Sequence, residues 1–104
     1  MKKVFISQPM KDKTDEQIKA EREQAIKVIK ERFPDEEIEI IDSFFEGAPH
    51  DAKPLWFLGK SIQLLAGADI AYFIGEWDKY RGCKAEHYLA TEYGIPTIIN
   101  ITAE

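Results

Sequence analysis

Glu86 is the residue in this chain whose type and position ask most directly for a chemical explanation. It lies in residues 68–96, a segment that reads as strand, polar aromatic loop and helix. An apolar run over 70–74 leads into a loop over 75–81 containing Trp77, Asp78 and Tyr80. A helix then opens near Gly82 and closes at Gly94, with Pro96 where no helix continues. Ala85, Leu89 and Tyr93 share one stripe of that helix, and Glu86 runs beside it with Ala90 at i, i+4 spacing. A carboxylate in the first turn, on or next to the sheet-facing side, carries a desolvation cost. Either it complements the helix dipole, or it is held in a crevice as a nucleophile or general base.

The neighbouring residues widen the second reading. Backbone N–H groups of Gly82 and Cys83 at a helix start can bind an anion, and Arg81 can add a charge-assisted contact; a plain helix start is the alternative. Cys83 at that position is either a thiol of lowered pKa or a small packing residue. Trp77 and Tyr80 each offer a π face to a flat ring, or they pack beneath their loop. Asp78 is a candidate acid or a turn former. Ser7 and Gln8 at the end of the first strand offer polar groups, Pro9 and Met10 complete that candidate binding segment, and Asp42 and Ser43 are weaker counterparts after the second strand. His50 and Asp51 do not make a metal site, and the chain carries no metal motif, Walker loop or Gly-x-Gly-x-x-Gly. The loop after the first strand also lacks a Ser/Thr/Gly-rich cradle for flavin phosphate, so no cofactor is expected.

The elements that must position these residues are legible in order. Residues 3–7 form a short apolar strand that Pro9 ends, because proline has no donor for a ladder. Thr14 to Gln17 matches a capping box, and Ile18, Ala25, Ile26, Ile29 and Phe33 then recur at helical spacing up to Pro34. The charges on that helix's other face read as a solvated surface. Residues 37–42 form a second strand, and 43–54 a long loop of the kind that often carries function. Pro54 opens a second helix with Leu55, Leu58, Ile62 and Leu65 as its stripe, and Gly67 ends it. The strand at 70–74, the helix described above and a last strand at 97–101 complete the chain.

Alternating strands and helices with near-continuous apolar strands predict one α/β domain over residues 1–104. Its form is a three-layer flavodoxin-like, Rossmann-like sandwich: a four-stranded parallel sheet of order 2-1-3-4 with helices on both faces. Ligands of such sheets bind beyond the carboxyl ends of the strands where the order reverses. That brings the residues after Ser7, the 75–81 loop and Glu86 to one crevice.

Composition narrows the partners. A net charge of −5 over 104 residues argues against a nucleic-acid polymer, whose binding footprint would be basic. No apolar run approaches the ~20 residues of a membrane span, and the N-terminal apolar run is too short for a signal peptide, so a cytoplasmic location is expected. The single cysteine excludes an internal disulfide.

The strand Ala-Asp-Ile-Ala-Tyr-Phe-Ile-Gly, Gly82 four residues before Glu86, and then Ala90, Gly94 and Pro96 resemble the nucleoside 2-deoxyribosyltransferase superfamily. The opening Val-Phe-Ile-Ser-Gln-Pro-Met is similar to that family's first strand and ligand-approaching turn. With Trp77, Arg81-Gly82-Cys83 and Glu86, it looks like a short phage and bacterial branch of the superfamily. The resemblance implies that Glu86 attacks the anomeric carbon of a 2-deoxyribosyl group and displaces the base. Another base or water then resolves the glycosyl-enzyme. Trp77 or Tyr80 would stack on the base, and Ser7, Arg81 and the Gly82 amide region would hold sugar or phosphate. The transferases carry an aspartate six residues before the nucleophile; here that position is Tyr80, with Asp78 two residues away. The expectation is an N-glycosidic hydrolase or transferase acting on a nucleoside or nucleoside monophosphate, or else a non-catalytic nucleotide-binding module. Family members often complete each other's sites, so a homodimer or higher homo-oligomer is expected; an exposed stripe at Trp56 and Phe57 on the second helix would point the same way.

Overall fold

A computed structural model describes residues 1–9, 13–41, 51 and 53–99. Four strands, β1 (Lys2–Ser7), β2 (Ile38–Ile40), β3 (Ile70–Phe73) and β4 (Thr97–Ile99), form one all-parallel sheet of order β2-β1-β3-β4. Three helices, α1 (Asp15–Arg32), α2 (Pro54–Leu65) and α3 (Arg81–Glu92), connect them, and a 3-10 turn at Trp77–Lys79 precedes α3. This is the flavodoxin-like α/β sandwich expected from the pattern.

Period-two alternation along the two central strands builds two cores. Val4 and Ile6 of β1, with Ile70 and Tyr72 of β3, face α1, where Ala25 and Ile29 close over them. Phe5, Ala71 and Phe73 face the opposite way, toward Leu65 of α2 and Ala90 of α3. Ser7 continues the Phe5 side and lies opposite Phe73 in the ladder. The strand therefore delivers a hydroxyl to the layer of α2 and α3 at the carboxyl end of the sheet.

Local signals hold at the ends of elements. Thr14 Oγ1 accepts from the Gln17 amide at 3.1 Å while Gln17 Oε1 accepts from the Thr14 amide at 2.9 Å, completing the capping box. Gly94, at φ 77°, ends α3, and the Ile95 amide reaches back to the Ala90 carbonyl at 2.8 Å in a Schellman closure. Gly75, at φ 60°, turns the chain out of β3 toward the 3-10 segment, a conformation that favours glycine.

Two expected stripes are corrected. On α2 only Leu65 is buried; Leu55 is exposed, because contact with the sheet core comes through the helix's last turn. On α3 the buried residues are Cys83, Glu86 and Ala90, whereas Tyr93 is 79% exposed at the helix's C-terminal end. The Glu86 line is thus the inward line itself rather than its neighbour.

The fully buried Tyr72 hydroxyl finds no hydrogen-bond partner among the described residues, and burial pushes its pKa up. An unsatisfied buried hydroxyl costs about 1–3 kcal/mol. Tyr72→Phe is therefore expected to leave stability unchanged or raise it by about 1 kcal/mol. A fall in the denaturant midpoint at constant slope would show instead that the hydroxyl is stabilising.

Candidate functional site

The site is built where β1 ends beneath α3. Ser7 Oγ donates to Glu86 Oε1 at 2.6 Å across 79 residues of sequence, and both side chains are buried. The Ser7 carbonyl is already taken by the Ile74 amide at 3.0 Å, which fixes the strand end against β3. From α2, the Ser61 hydroxyl acts on the proton affinity of the carboxylate in the same direction as Ser7. Burial raises the Glu86 pKa, and the two hydroxyls oppose that rise without cancelling it. The result is a carboxylate 7% exposed, held by a neutral donor from β1 and sited on α3.

Glu86 is the sixth residue of α3, since the helix starts at Arg81; it lies in the second turn rather than the first. Dipole complementation, which fades beyond the first turn, accounts for little of its placement. The start of α3 has no side-chain cap and no acidic residue in its first turn. Gly82 stands there without positive φ, and a Cβ on it would meet nothing within 4 Å.

Cys83 lies on the same inward line. Burial pushes its thiol up to about 11, with the Glu86 charge adding to the rise; a hydrogen bond with Ser7 and the charge of Lys13 only partly offset this. A thiol with so little thiolate at neutral pH is a poor nucleophile. Labelling of the native protein by a disulfide reagent at pH 7.5 is expected to be at least about a hundredfold slower than that of the unfolded chain. Equal rates would mean that the thiol is neither buried nor raised in proton affinity.

An aromatic group forms around the next residue of α3. Trp77 stacks on His87 with ring centroids 4.3 Å apart and planes at 28°, and Phe73 meets both rings at 5.3 and 5.0 Å. Because Ser7 and Phe73 are ladder partners, the consecutive residues Glu86 and His87 sit over the neighbouring strands β1 and β3. Tyr80 is the half-buried N-cap of α3, Asp78 is exposed in the 3-10 turn, and Arg81 is exposed at the helix start.

On the other side of the β1 end, Gln8 is 6% exposed. Its Nε2 donates to the Ile18 carbonyl at 2.7 Å and to Glu21 Oε1 at 3.4 Å, and its Oε1 is buried with no partner among the described residues. Lys13 pairs with Glu21 at 2.8 Å, so the polar cluster extends to the start of α1. Pro9 is buried beside Gln8, whereas Met10, Asp42, Ser43 and His50 lie outside the described residues. Asp51 is exposed.

Of the residues singled out from sequence, Ser7, Cys83 and Glu86 come together, and Trp77 joins them through His87 and Phe73. Ser61, His87 and Lys13 were not among them. Ser61 had a signal: it lies at i+3 from Leu58 and i−4 from Leu65, a polar residue on an apolar stripe, as Glu86 does on α3. Among the described residues no cluster of three His, Cys, Asp or Glu side chains could hold a metal ion, and no helix is long and apolar enough to cross a membrane. Comparison of the chain with family models, with curated proteins and with solved structures returned no match.

Proposed function

We propose that this chain is an N-glycosidic enzyme, a hydrolase or deoxyribosyltransferase of nucleoside 2-deoxyribosyltransferase type, acting on a nucleoside or nucleoside monophosphate with Glu86 as nucleophile. One observation carries the reading: a buried carboxylate at the carboxyl end of a parallel sheet, gripped by Ser7 at 2.6 Å, one residue before the histidine that stacks on Trp77. Structural glutamates rarely occupy buried positions without a cationic partner. Here the partners are hydroxyls, which orient the group while leaving its negative charge available to a developing cation.

In the proposed reaction a Glu86 oxygen attacks the anomeric carbon as the bond to the base breaks. Its charge stabilises the oxocarbenium-like transition state, as in retaining glycosidases. A second base or water then releases the sugar from Glu86. Ser7 and Ser61 keep the carboxylate aimed, Trp77 or Tyr80 stacks on the base, and Arg81 with the open helix start at Gly82 holds sugar or phosphate. Gln8 and Pro9 border the ligand from the first strand's end. No cofactor takes part, and the enzyme works as a homodimer or higher homo-oligomer in the cytoplasm.

The test is a panel of deoxynucleosides and deoxynucleotides assayed for free base by chromatography. Wild type should release base from at least one of them, and Glu86→Ala from none. A second reading is favoured by Tyr80 standing where the related transferases have an acid: a module that binds nucleotides without cleaving them. It predicts a ligand-dependent rise in Tm with no base released.

A further inference from the structure

We propose that His87 is the general acid that protonates the departing base. The inference rests on the N-glycosidic reading above and adds the proton donor which that reading leaves unassigned. A base leaving a sugar carries away the bonding electron pair, so a proton delivered to it in the transition state lowers the barrier. Tyr80 occupies the place where the related transferases have a carboxylic acid, and Asp78 is exposed in its turn.

His87 has the required position. It follows Glu86 on α3 and rests on Phe73, the ladder partner of the serine that holds Glu86. Its ring is stacked on Trp77 at 4.3 Å, so an aromatic base settling beside that stack meets the imidazole edge. The ring is half-buried, which both restrains it and leaves it reachable. No described residue hydrogen-bonds its ring nitrogens. Histidine is also the side chain best suited to move a proton near neutral pH.

The step balances. The bond between C1′ and the base nitrogen breaks with its electron pair going to the base. The proton of the imidazolium passes to a base nitrogen or carbonyl oxygen, and a Glu86 carboxylate oxygen bonds to C1′. Neutral base leaves beside a neutral imidazole and a glycosyl ester. In the second half, water adds its oxygen to C1′, gives its proton to His87, and frees the Glu86 carboxylate.

The experiment compares the best substrate in the panel with the same deoxynucleoside methylated on a ring nitrogen, whose base is already cationic and leaves without a proton. His87→Phe keeps a ring against Trp77 and Phe73, and His87→Gln serves as a second variant; Tm values report folding of both. With enzyme in excess over substrate, so that only the first half-reaction is read, the expected result is a loss of about 10²–10⁴-fold in base release from the neutral substrate, with release from the cationic one close to wild type. Unchanged release from the neutral substrate, or an equal loss on both, overturns the assignment while leaving the Glu86 reading intact. Wild type that releases base from neither substrate overturns the N-glycosidic reading itself, and this inference with it.

Discussion

Glu86→Gln is expected to lower base release by at least about a thousandfold, the scale on which removal of a covalent nucleophile acts, while leaving the protein folded. Glutamine keeps the shape of the side chain and an oxygen that can accept from Ser7, whose bond is 2.6 Å in the native protein. What it loses is the negative charge, the one property that an attack on C1′ requires. Ser7→Ala should act in the same direction but less severely, because Ser61 still contributes to orienting the carboxylate. A Glu86→Gln protein that retains most of its base release would remove the residue from the chemistry.

The second large effect concerns stability, and its sign follows from the raised proton affinity of Glu86. Burial is the main cause of the rise above the ordinary value of 4.5, and the Ser7 and Ser61 hydrogen bonds counter only part of it. The folded state therefore favours the neutral acid. This contribution to stability is fully present below the unfolded value and is lost as pH rises through the higher folded one. Above that point the native protein bears the cost of a buried charge that Glu86→Gln does not. Each tenfold increase in proton affinity corresponds to about 1.4 kcal/mol, or about 6–11 °C in Tm for a domain of this size. The variant should melt close to wild type near pH 4 and progressively above it toward pH 8. A gap that stays constant or narrows with pH would mean that the carboxyl is not raised. Base release is expected to share that titration on its acid limb, climbing with pH as Glu86 ionises.

The parallel architecture was legible because each of its determinants is local or periodic. Near-continuous apolar strands specified a sheet buried on both faces, and the capping box at Thr14 and the glycine at 94 specified helix ends. The orientation of α3 was harder to read. Its apolar residues fall on two adjacent lines, and sequence alone ranked Ala85, Leu89 and Tyr93 first. Packing instead selected Cys83, Glu86 and Ala90, since the helix starts at Arg81 and Tyr93 is exposed at its C-terminal end.

The site was legible in proportion to how far each residue broke its local pattern. Glu86 stood out as a charge beside an apolar stripe, and Ser7 as a polar end to a buried strand. His87 broke nothing along its own helix; only the turn of chain that brings Trp77 onto it at 4.3 Å makes it part of the site. Lys13 and Glu21 pair across eight residues within one loop and helix start, a contact that depends on the backbone path. Tertiary geometry, rather than residue type, is what joins these groups.

The most direct test of Glu86 as nucleophile is to find the sugar on it. A 2-fluoro-substituted deoxynucleoside destabilises the oxocarbenium-like transition states and so slows breakdown of a glycosyl-enzyme. Peptide mapping by mass spectrometry after incubation with it should locate the fluorosugar on Glu86, with no label in Glu86→Gln. Base release by wild type that leaves Glu86 unlabelled and persists undiminished in Glu86→Gln would contradict the account.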